Sequence, residues 1–387
     1  MKIGIVTFWW GNDNYGQLLQ CWALQQHLKK MGHEPFLIRY KPISPSPCML
    51  KKVIKTLLVY PCIKERVVQK KRKIHLQKLA LLEEKNEIRQ FDAFRSENLI
   101  MSDRVYRTLD ELRHNPPQAD AYIVGSDQVW AQLLGNRNNL VYFLAFGDKS
   151  IRRIAYAPSF SMDEYPKEFR TKLKKALSGM DTISVRETSG KMICRKLGYD
   201  AEVVCDPTML LVKEDYLRLL PSRETGSIPY VFVYSLNVKE AEEMKWQALK
   251  VFAAEKKWNV RVTVSSGYYP GEEIYDVDTD YDYCNIGGWL ANIQNASLVV
   301  TPSFHGIVFS LLFQRPFVYV PLEGEWSRGN RRIYDLLESV GLTDRVFTSG
   351  RVFSDFVQRV IDWDKVESRM KDMRILSSTF LSCALAE

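Results

Sequence analysis

The sequence predicts an α/β protein of two doubly wound parallel-sheet domains that face one cleft. Three observations carry this. Short apolar runs rich in β-branched residues, among them KIGIVTF, AYIVG, YVFVYSL and SLVVT, alternate with helical stretches through most of the 387 residues. That is the pattern of buried parallel strands joined by crossover helices. A polar stretch from Lys213 to Pro229, with Pro221 and Gly226 inside it, divides the alternation into two sets. Lastly, Ser297 to Pro321, SLVVTPSFHGIVFSLLFQRPFVYVP, holds a complete strand-loop-helix-strand unit. The expected boundaries are a first domain over 1–212 with an insertion at 43–100, a linker over 213–229, a second domain over 230–350 and a helical tail over 351–387.

In the first domain KIGIVTF opens as a strand, and Trp9 to Gly16 leaves it as a loop with glycines five apart. The loop lacks the lysine of a phosphate-binding P-loop and the dinucleotide glycine pattern, so it either lines a cleft or makes a tight turn. A helix from Gln17 to Met31 places Leu18, Leu19, Trp22, Leu24 and Leu28 at helical spacing, and EPFLIRY returns as a strand. Pro42, Pro45 and Pro47 break the pattern, after which residues 50–95 read as a helix. Ala121 to Gly125 is the next strand, and Ser126 and Asp127 follow at its carboxyl end. Asp127 there either faces the cleft or caps a helix. RIAYAPSF is a further strand and loop, DEYPKEFRTKLKKALSGM a polar helix, and DTISVRE a strand that ends at Arg186. Arg186 is placed to hold a carboxylate or phosphate bidentately, or else to pair with an acid such as the neighbouring Glu187. A helix from Thr188 to Leu197 and the strand AEVVCDP complete the set.

Beyond the linker come the strand YVFVYSL, a helix from Val238 to Lys257, the strand VRVTVSS, an acidic tyrosine-rich stretch and a helix over Asn285 to Asn295. In the unit that follows, SLVVT and PFVYVP read as parallel strands and Gly306 to Gln314 as a short buried crossover helix. The loop PSFHG therefore lies at the carboxyl end of a strand and opens a helix N-terminus, where open α/β sheets bind ligands and free N–H groups attract anions. Ser303 is placed to cap that helix or to touch the ligand. His305 is either a proton-transfer group or a satisfied structural histidine, and residue type alone does not separate the two. Next, EGEWSRGNRR puts Arg328, Arg331 and Arg332 in position to project back toward His305, ahead of the helix IYDLLESVG and the tail.

The net charge of +8 is concentrated: residues 51–90 contain 12 Lys or Arg against 4 Glu, so this segment carries the whole excess. It reads as an exposed helical insertion, as an interfacial helix meeting anionic lipid, or as a nucleic-acid contact, the last disfavoured because no binding module accompanies it. Seven scattered cysteines without a C-x-x-C pair indicate reduced thiols and neither a disulfide framework nor a zinc site. MKIGIVTF reads as a strand rather than a signal peptide, and no apolar run reaches the roughly 18 residues of a membrane span. The expectation is a cytoplasmic protein, peripheral at the inner membrane face if the basic segment meets lipid.

Several stretches, in order along nearly the whole chain, together resemble the polysaccharide pyruvyl transferase family. They are NYGQLLQCWALQQHLKKMGH (Asn14 to His33), YIVGSDQVW (Tyr122 to Trp130), ISVRETSGKMICRKLGYDAEVVCDPTMLL (Ile183 to Leu211) and NASLVVTPSFHGIVFSLLFQRPF (Asn295 to Phe317), with GNRRIYDLLESVGL (Gly329 to Leu342) similar to the closing motif. The resemblance implies two Rossmann-like domains in a GT-B-like arrangement. It implies transfer of a pyruvyl group from phosphoenolpyruvate to two hydroxyls of a sugar in a bacterial surface polysaccharide precursor, an exopolysaccharide or capsule, giving a cyclic ketal. By the same resemblance His305 and Arg186 are catalytic, and Arg186, Ser303, Gly306 and Arg332 bind the donor. Asn14, Tyr15, Gly16, Ser126 and Asp127 face the acceptor, which is lipid-linked or nucleotide-linked. Phosphoenolpyruvate is then a co-substrate, and neither a metal nor another cofactor is called for.

One departure from the family pattern bears on the donor. Members closest to demonstrated ketal formation often carry an arginine two residues before the histidine, in an R-L-H type motif, whereas this chain has Ser303-Phe304-His305. Either Arg315 or Arg328 supplies that cation, or this branch uses a different donor or acceptor. The alternatives are a glycosyltransferase of the same form with a nucleotide-sugar donor, and a non-catalytic glycan-binding relative. Against the former, no nucleotide-binding carboxylate or glycine fingerprint follows the second-domain strands.

Overall fold

The computed structural model describes residues 1–11, 14–42, 89–221, 228–265, 274–276 and 279–386. Most of the basic segment, and with it the expected insertion helix and its lipid contact, lies outside the described residues. A seven-stranded parallel sheet in the order β3-β2-β1-β4-β5-β6-β7 forms the first lobe. Its strands are β1 (Lys2–Val6), β2 (Glu34–Tyr40), β3 (Met101–Tyr106), β4 (Ala121–Val124), β5 (Arg152–Ala155), β6 (Thr182–Val185) and β7 (Glu202–Val203). The second lobe is a five-stranded parallel sheet in the order β10-β9-β8-β11-β12. Here the strands are β8 (Tyr230–Ser235), β9 (Asn259–Val264), β10 (Asp280–Tyr281), β11 (Leu298–Thr301) and β12 (Phe317–Tyr319).

Each sheet starts in the middle and winds outward both ways. β1 pairs with β2 on one side and β4 on the other, and β8 pairs likewise with β9 and β11. At both reversals the loops diverge and leave a crevice at the carboxyl ends of the strands. The helices α1 (Tyr15–Lys30), α2 (Phe91–Asn98), α3 (Leu109–His114), α4 (Arg170–Leu177), α5 (Thr188–Lys196) and α6 (Lys213–Tyr216) belong to the first half of the chain. The second half supplies α7 (Trp246–Lys256), α8 (Ile286–Asn295), α9 (Phe304–Leu312), α10 (Arg331–Val340), α11 (Phe353–Gln358) and α12 (Trp363–Ala386).

The two lobes share one core. α9 is buried along its whole length, as a helix apolar on all sides must be. Tyr15, the first residue of α1, stacks on Trp289 of α8 with ring centroids 5.3 Å apart and planes 9° apart. Its hydroxyl donates to the Cys284 carbonyl at 2.7 Å. One apolar cluster therefore runs from β1 and α1 through to α8 and α9.

Several elements differ from their sequence reading. The helix expected over 50–95 is seen in its described part only as α2, which is not a free surface helix. Phe91 and Phe94 are buried, and Arg95 donates to the carbonyls of Trp9 and Gly11, bracing the loop that leaves β1. The helix expected from Val238 to Lys257 is broken at Lys245, whose left-handed backbone (φ +56°) separates a single turn at Ala241–Met244 from α7. The polar helix after Phe160 is helical mainly over α4. The stretch expected as a linker starts with α6, where Tyr216 packs between the rings of Trp22 and Phe309. The tail does not trail from the second lobe: α12 returns to the first. There Ser377 Oγ accepts the Cys205 N–H at 2.9 Å, Arg374 of the helix donates to the Met209 carbonyl, and Arg152 of the first lobe donates to the Ala384 carbonyl of the helix.

Among the described cysteines Cys21, Cys194 and Cys205 are buried and unbridged, and burial pushes all three thiols up, Cys205 to about 11. No helix among the described residues is long and apolar enough to cross a membrane.

Candidate active site

Asp206 sits at the centre of the crevice between the lobes, where the chain leaves β7. Pro207 starts a short turn there, and Asp206 Oδ1 caps it, accepting from Thr208 N at 3.0 Å and Thr208 Oγ1 at 2.7 Å. Oδ2 accepts from Ser126 Oγ at 2.7 Å and from Arg186 Nη1 at 2.8 Å. The His305 Nε2 atom lies 3.7 Å from Oδ1. A fully buried carboxylate is thus shared by groups from the ends of β4 and β6 and from the start of α9. Burial alone would raise the Asp206 pKa. The nearby His305 imidazole, the Arg186 guanidinium and the hydrogen bonds from Thr208 outweigh it and hold the carboxyl well below the usual carboxylate range.

His305 is positioned by what is missing around it. Gly306 packs against Thr301, where a Cβ would come within 2.8 Å of both branches of that side chain, so α9 starts tight against β11. Across the crevice the ring lies over Gly16 of α1, where a Cβ would fall 2.0 Å from His305 Nδ1. Gly16 is therefore the seat of the histidine. Ser303 caps α9 by accepting the Gly306 N–H at 3.3 Å.

Two guanidiniums approach one aromatic ring beside this histidine. Arg186 lies 4.8 Å and Arg332 5.8 Å from the centroid of Phe304. Arg186 Nε and Nη2 and Arg332 Nε are buried without a hydrogen-bond partner, the signature of a site awaiting an acceptor. Burial, then the like charge of Arg186, push the Arg332 pKa down to about 10 against the opposing pull of Asp127 and Glu187. A cavity of about 400 Å³ is bounded by Arg186, Asp206, Phe304 and Arg332, with Val203, Leu336 and Met373 among its apolar walls. Arranged so, the groups can bind a small dianion and exchange a proton next to it.

The structure gathers Arg186, Ser126, Gly16, Ser303, Gly306, His305 and Arg332 around this crevice, and it corrects or narrows other readings. Tyr15 is fully buried in the shared core and presents nothing to a ligand. Asn14 caps α1 through Gln17 N at 3.2 Å. Arg186 does pair with an acid, as one of its two readings has it, but the acid is Asp206; Glu187 Oε1 accepts instead from Ser159 Oγ and from the backbone N–H groups of Phe160 and Ser161. Arg315 lies past the far end of α9, which is about 10 Å along the helix from His305 at 1.5 Å per residue, and Arg328 is exposed. Arg186 and Arg332, by contrast, both lie on Phe304, directly beside His305. Asp127 holds a left-handed backbone (φ +84°), strain of the kind concentrated at ligand sites, and its carboxylate accepts from Gln128 N at 2.8 Å.

Asp206 and Gln128 are the residues that sequence reasoning passed over. An Asp-Pro pair directly after a strand was the available signal for Asp206. Among the described residues no cluster of three or more His, Cys, Asp or Glu side chains could hold a metal ion.

Two doubly wound parallel sheets meeting at their switch points, with the polar groups held between them, define a GT-B-like protein. A solved structure agrees in fold. The UDP-N-acetylglucosamine 2-epimerase from Rickettsia bellii is similar over 100% of this chain and 96% of its own, with 10% identity and a TM-score of 0.51. The UDP-GlcNAc 2-epimerase from Neisseria meningitidis, solved with UDP-GlcNAc, covers 100% of both chains with 8% identity and a TM-score of 0.47. An alpha-glucosyltransferase solved with UDP and DNA covers 98% of this chain and 90% of its own, with 10% identity and a TM-score of 0.49. No curated protein sequence matches the chain. Residues 14–323 match the family model described as polysaccharide pyruvyl transferase, and the chain belongs to that family of transferases.

Proposed function

We propose that the protein transfers a pyruvyl group from phosphoenolpyruvate to two hydroxyls of one sugar in a surface polysaccharide precursor, forming a cyclic ketal and releasing phosphate. One observation carries this reading. Two guanidiniums with unfilled donors lie on one ring, beside a histidine that faces a buried carboxylate. Phosphoenolpyruvate offers a carboxylate and a phosphate on adjacent groups, and a pair of arginines is the matching receptor.

In this reading His305 protonates the methylene carbon, and positive charge develops on the neighbouring carbon that bears the phosphate. The first sugar hydroxyl adds there, the bond to phosphate oxygen breaks, and the second hydroxyl closes the ketal. One hydroxyl proton returns to His305 and the other leaves with phosphate, so the protons balance. Asp206 keeps the imidazole oriented through the cycle, while Arg186 and Arg332 hold charge that shifts from the enol to the departing phosphate. Asp127 borders the acceptor side, while Ser126, buried, keeps its hydroxyl on Asp206. The reaction draws on cytoplasmic phosphoenolpyruvate, and the acceptor is a lipid-linked or nucleotide-linked sugar.

Calorimetric titration of the wild type with phosphoenolpyruvate, alongside UDP, tests the donor without knowledge of the acceptor. Wild type is expected to bind phosphoenolpyruvate, and Arg332→Ala to weaken it by about 1.5–3 kcal/mol, the range for a hydrogen bond to a charged group. Binding of UDP with no binding of phosphoenolpyruvate would transfer the assignment to a nucleotide-sugar enzyme.

A further inference from the structure

Arg332 belongs to the second lobe, yet it works beside Arg186 of the first. A buried guanidinium next to another is repelled by it, and among the described residues Arg332 forms no ion pair that would hold it there. Two contacts across the crevice do. Gln128, in the loop after β4, faces Arg332, and its amide is assigned with the oxygen toward the guanidinium, which offers only donors. That oxygen accepts from Nη1 at 2.6 Å, from Nη2 at 3.0 Å and from Ser161 Oγ at 3.1 Å. Asp335, three residues further along α10, accepts from Thr188 N at 2.8 Å and Thr188 Oγ1 at 2.6 Å at the start of α5, and Arg331 steadies it at 2.9 Å. Thr188 follows Arg186 by two residues. The fastenings of α10 therefore flank the guanidinium pair on both sides.

The chemistry of the Gln128 contact is telling. A carboxylate at position 128 would hold Arg332 more firmly but would cancel the charge an anionic donor needs. A neutral amide fixes the direction of the guanidinium and leaves its charge unspent. We infer that Gln128 and Asp335 are positioning residues that set Arg332 opposite Arg186, so that the donor site is complete only when α10 is docked on the first lobe. This inference rests on the phosphoenolpyruvate reading.

A double-mutant cycle tests it, with phosphoenolpyruvate affinity measured by calorimetry on wild type, Gln128→Ala, Arg332→Ala and the double variant. Gln128→Ala is expected to weaken binding roughly tenfold in the wild-type background and to change nothing once Arg332 is alanine. Asp335→Ala is expected to show the same dependence on Arg332. Gln128→Glu is expected to bind phosphoenolpyruvate more weakly than wild type while melting no lower, a combination that a merely structural role does not produce. Additive losses in the cycle, or wild-type affinity in Gln128→Ala, overturn the inference and leave the donor assignment standing. Absence of phosphoenolpyruvate binding by the wild type removes both.

Discussion

Asp206→Asn is expected to cost about 3–5 kcal/mol of stability, the range for removing one partner of a buried ion pair, and to abolish transfer. The substitution is nearly isosteric, so the loss is electrostatic: Arg186 keeps its charge with no counter-charge within reach, and His305 faces a neutral amide. Denaturant unfolding of both proteins measures the first effect and phosphate release the second. The pH dependence separates this cause from simple misfolding. The Asp206 carboxyl is held below its usual range in the folded protein, so its contribution is present in full above the unfolded carboxylate pKa of about 4 and is lost as pH falls from there toward the folded value. The stability gap between wild type and variant should therefore stay constant from neutral pH to about 5 and narrow below about 4. A gap that is independent of pH throughout would mean that Asp206 acts through packing alone.

Gly16→Ala is expected to remove most activity while leaving the fold intact. The added methyl lands 2.0 Å from Nδ1 and 2.2 Å from Cγ of His305, distances at which something must move. The Gly16 backbone is fixed by the helix and by Tyr15 in the core, so His305 is the part that yields; its Cβ would also lie 2.7 Å from the new methyl, so the start of α9 shifts along with the ring. A displacement of about 1 Å at a reacting group costs on the order of a hundredfold in rate. Overpacking costs about 1–3 kcal/mol, offset in part by the roughly 0.5–1 kcal/mol that alanine gains over glycine in a helix. Phosphoenolpyruvate affinity should change little, because the guanidiniums are untouched. A variant that turns over at the wild-type rate would show that His305 is not seated as described.

Much of the architecture was legible because the strands that sit under helices on both faces are continuous apolar runs: β1, β4, β8 and β11 all read directly. The edge strand β3 was not read, because MSDRVY is largely solvent-facing and carries little apolar signal. Nor was the break before α7, since a lysine in a left-handed backbone leaves no glycine to mark it. At the site, His305 and Arg186 stood out by their positions at strand ends, which is local information. The roles of Asp206 and Gln128 depend on partners brought close by tertiary folding: Ser126 lies 80 positions from Asp206, and Arg332 comes from the other lobe. Tyr15 shows the opposite error. It lies within a motif shared with the family, yet its ring serves the core between the lobes, and sequence alone does not tell a buried tyrosine from one that greets a sugar.

The return of α12 to the first lobe has a consequence for how the protein is made. β7 borders the seven-stranded sheet, and the Cys205 N–H just beyond it finds its acceptor in Ser377. Emerging from the ribosome, the first lobe lacks that closing helix until nearly all of the chain has been synthesised. The half that is made first is finished last, and its apolar flank stays open to chaperones and to neighbouring nascent chains for the whole interval.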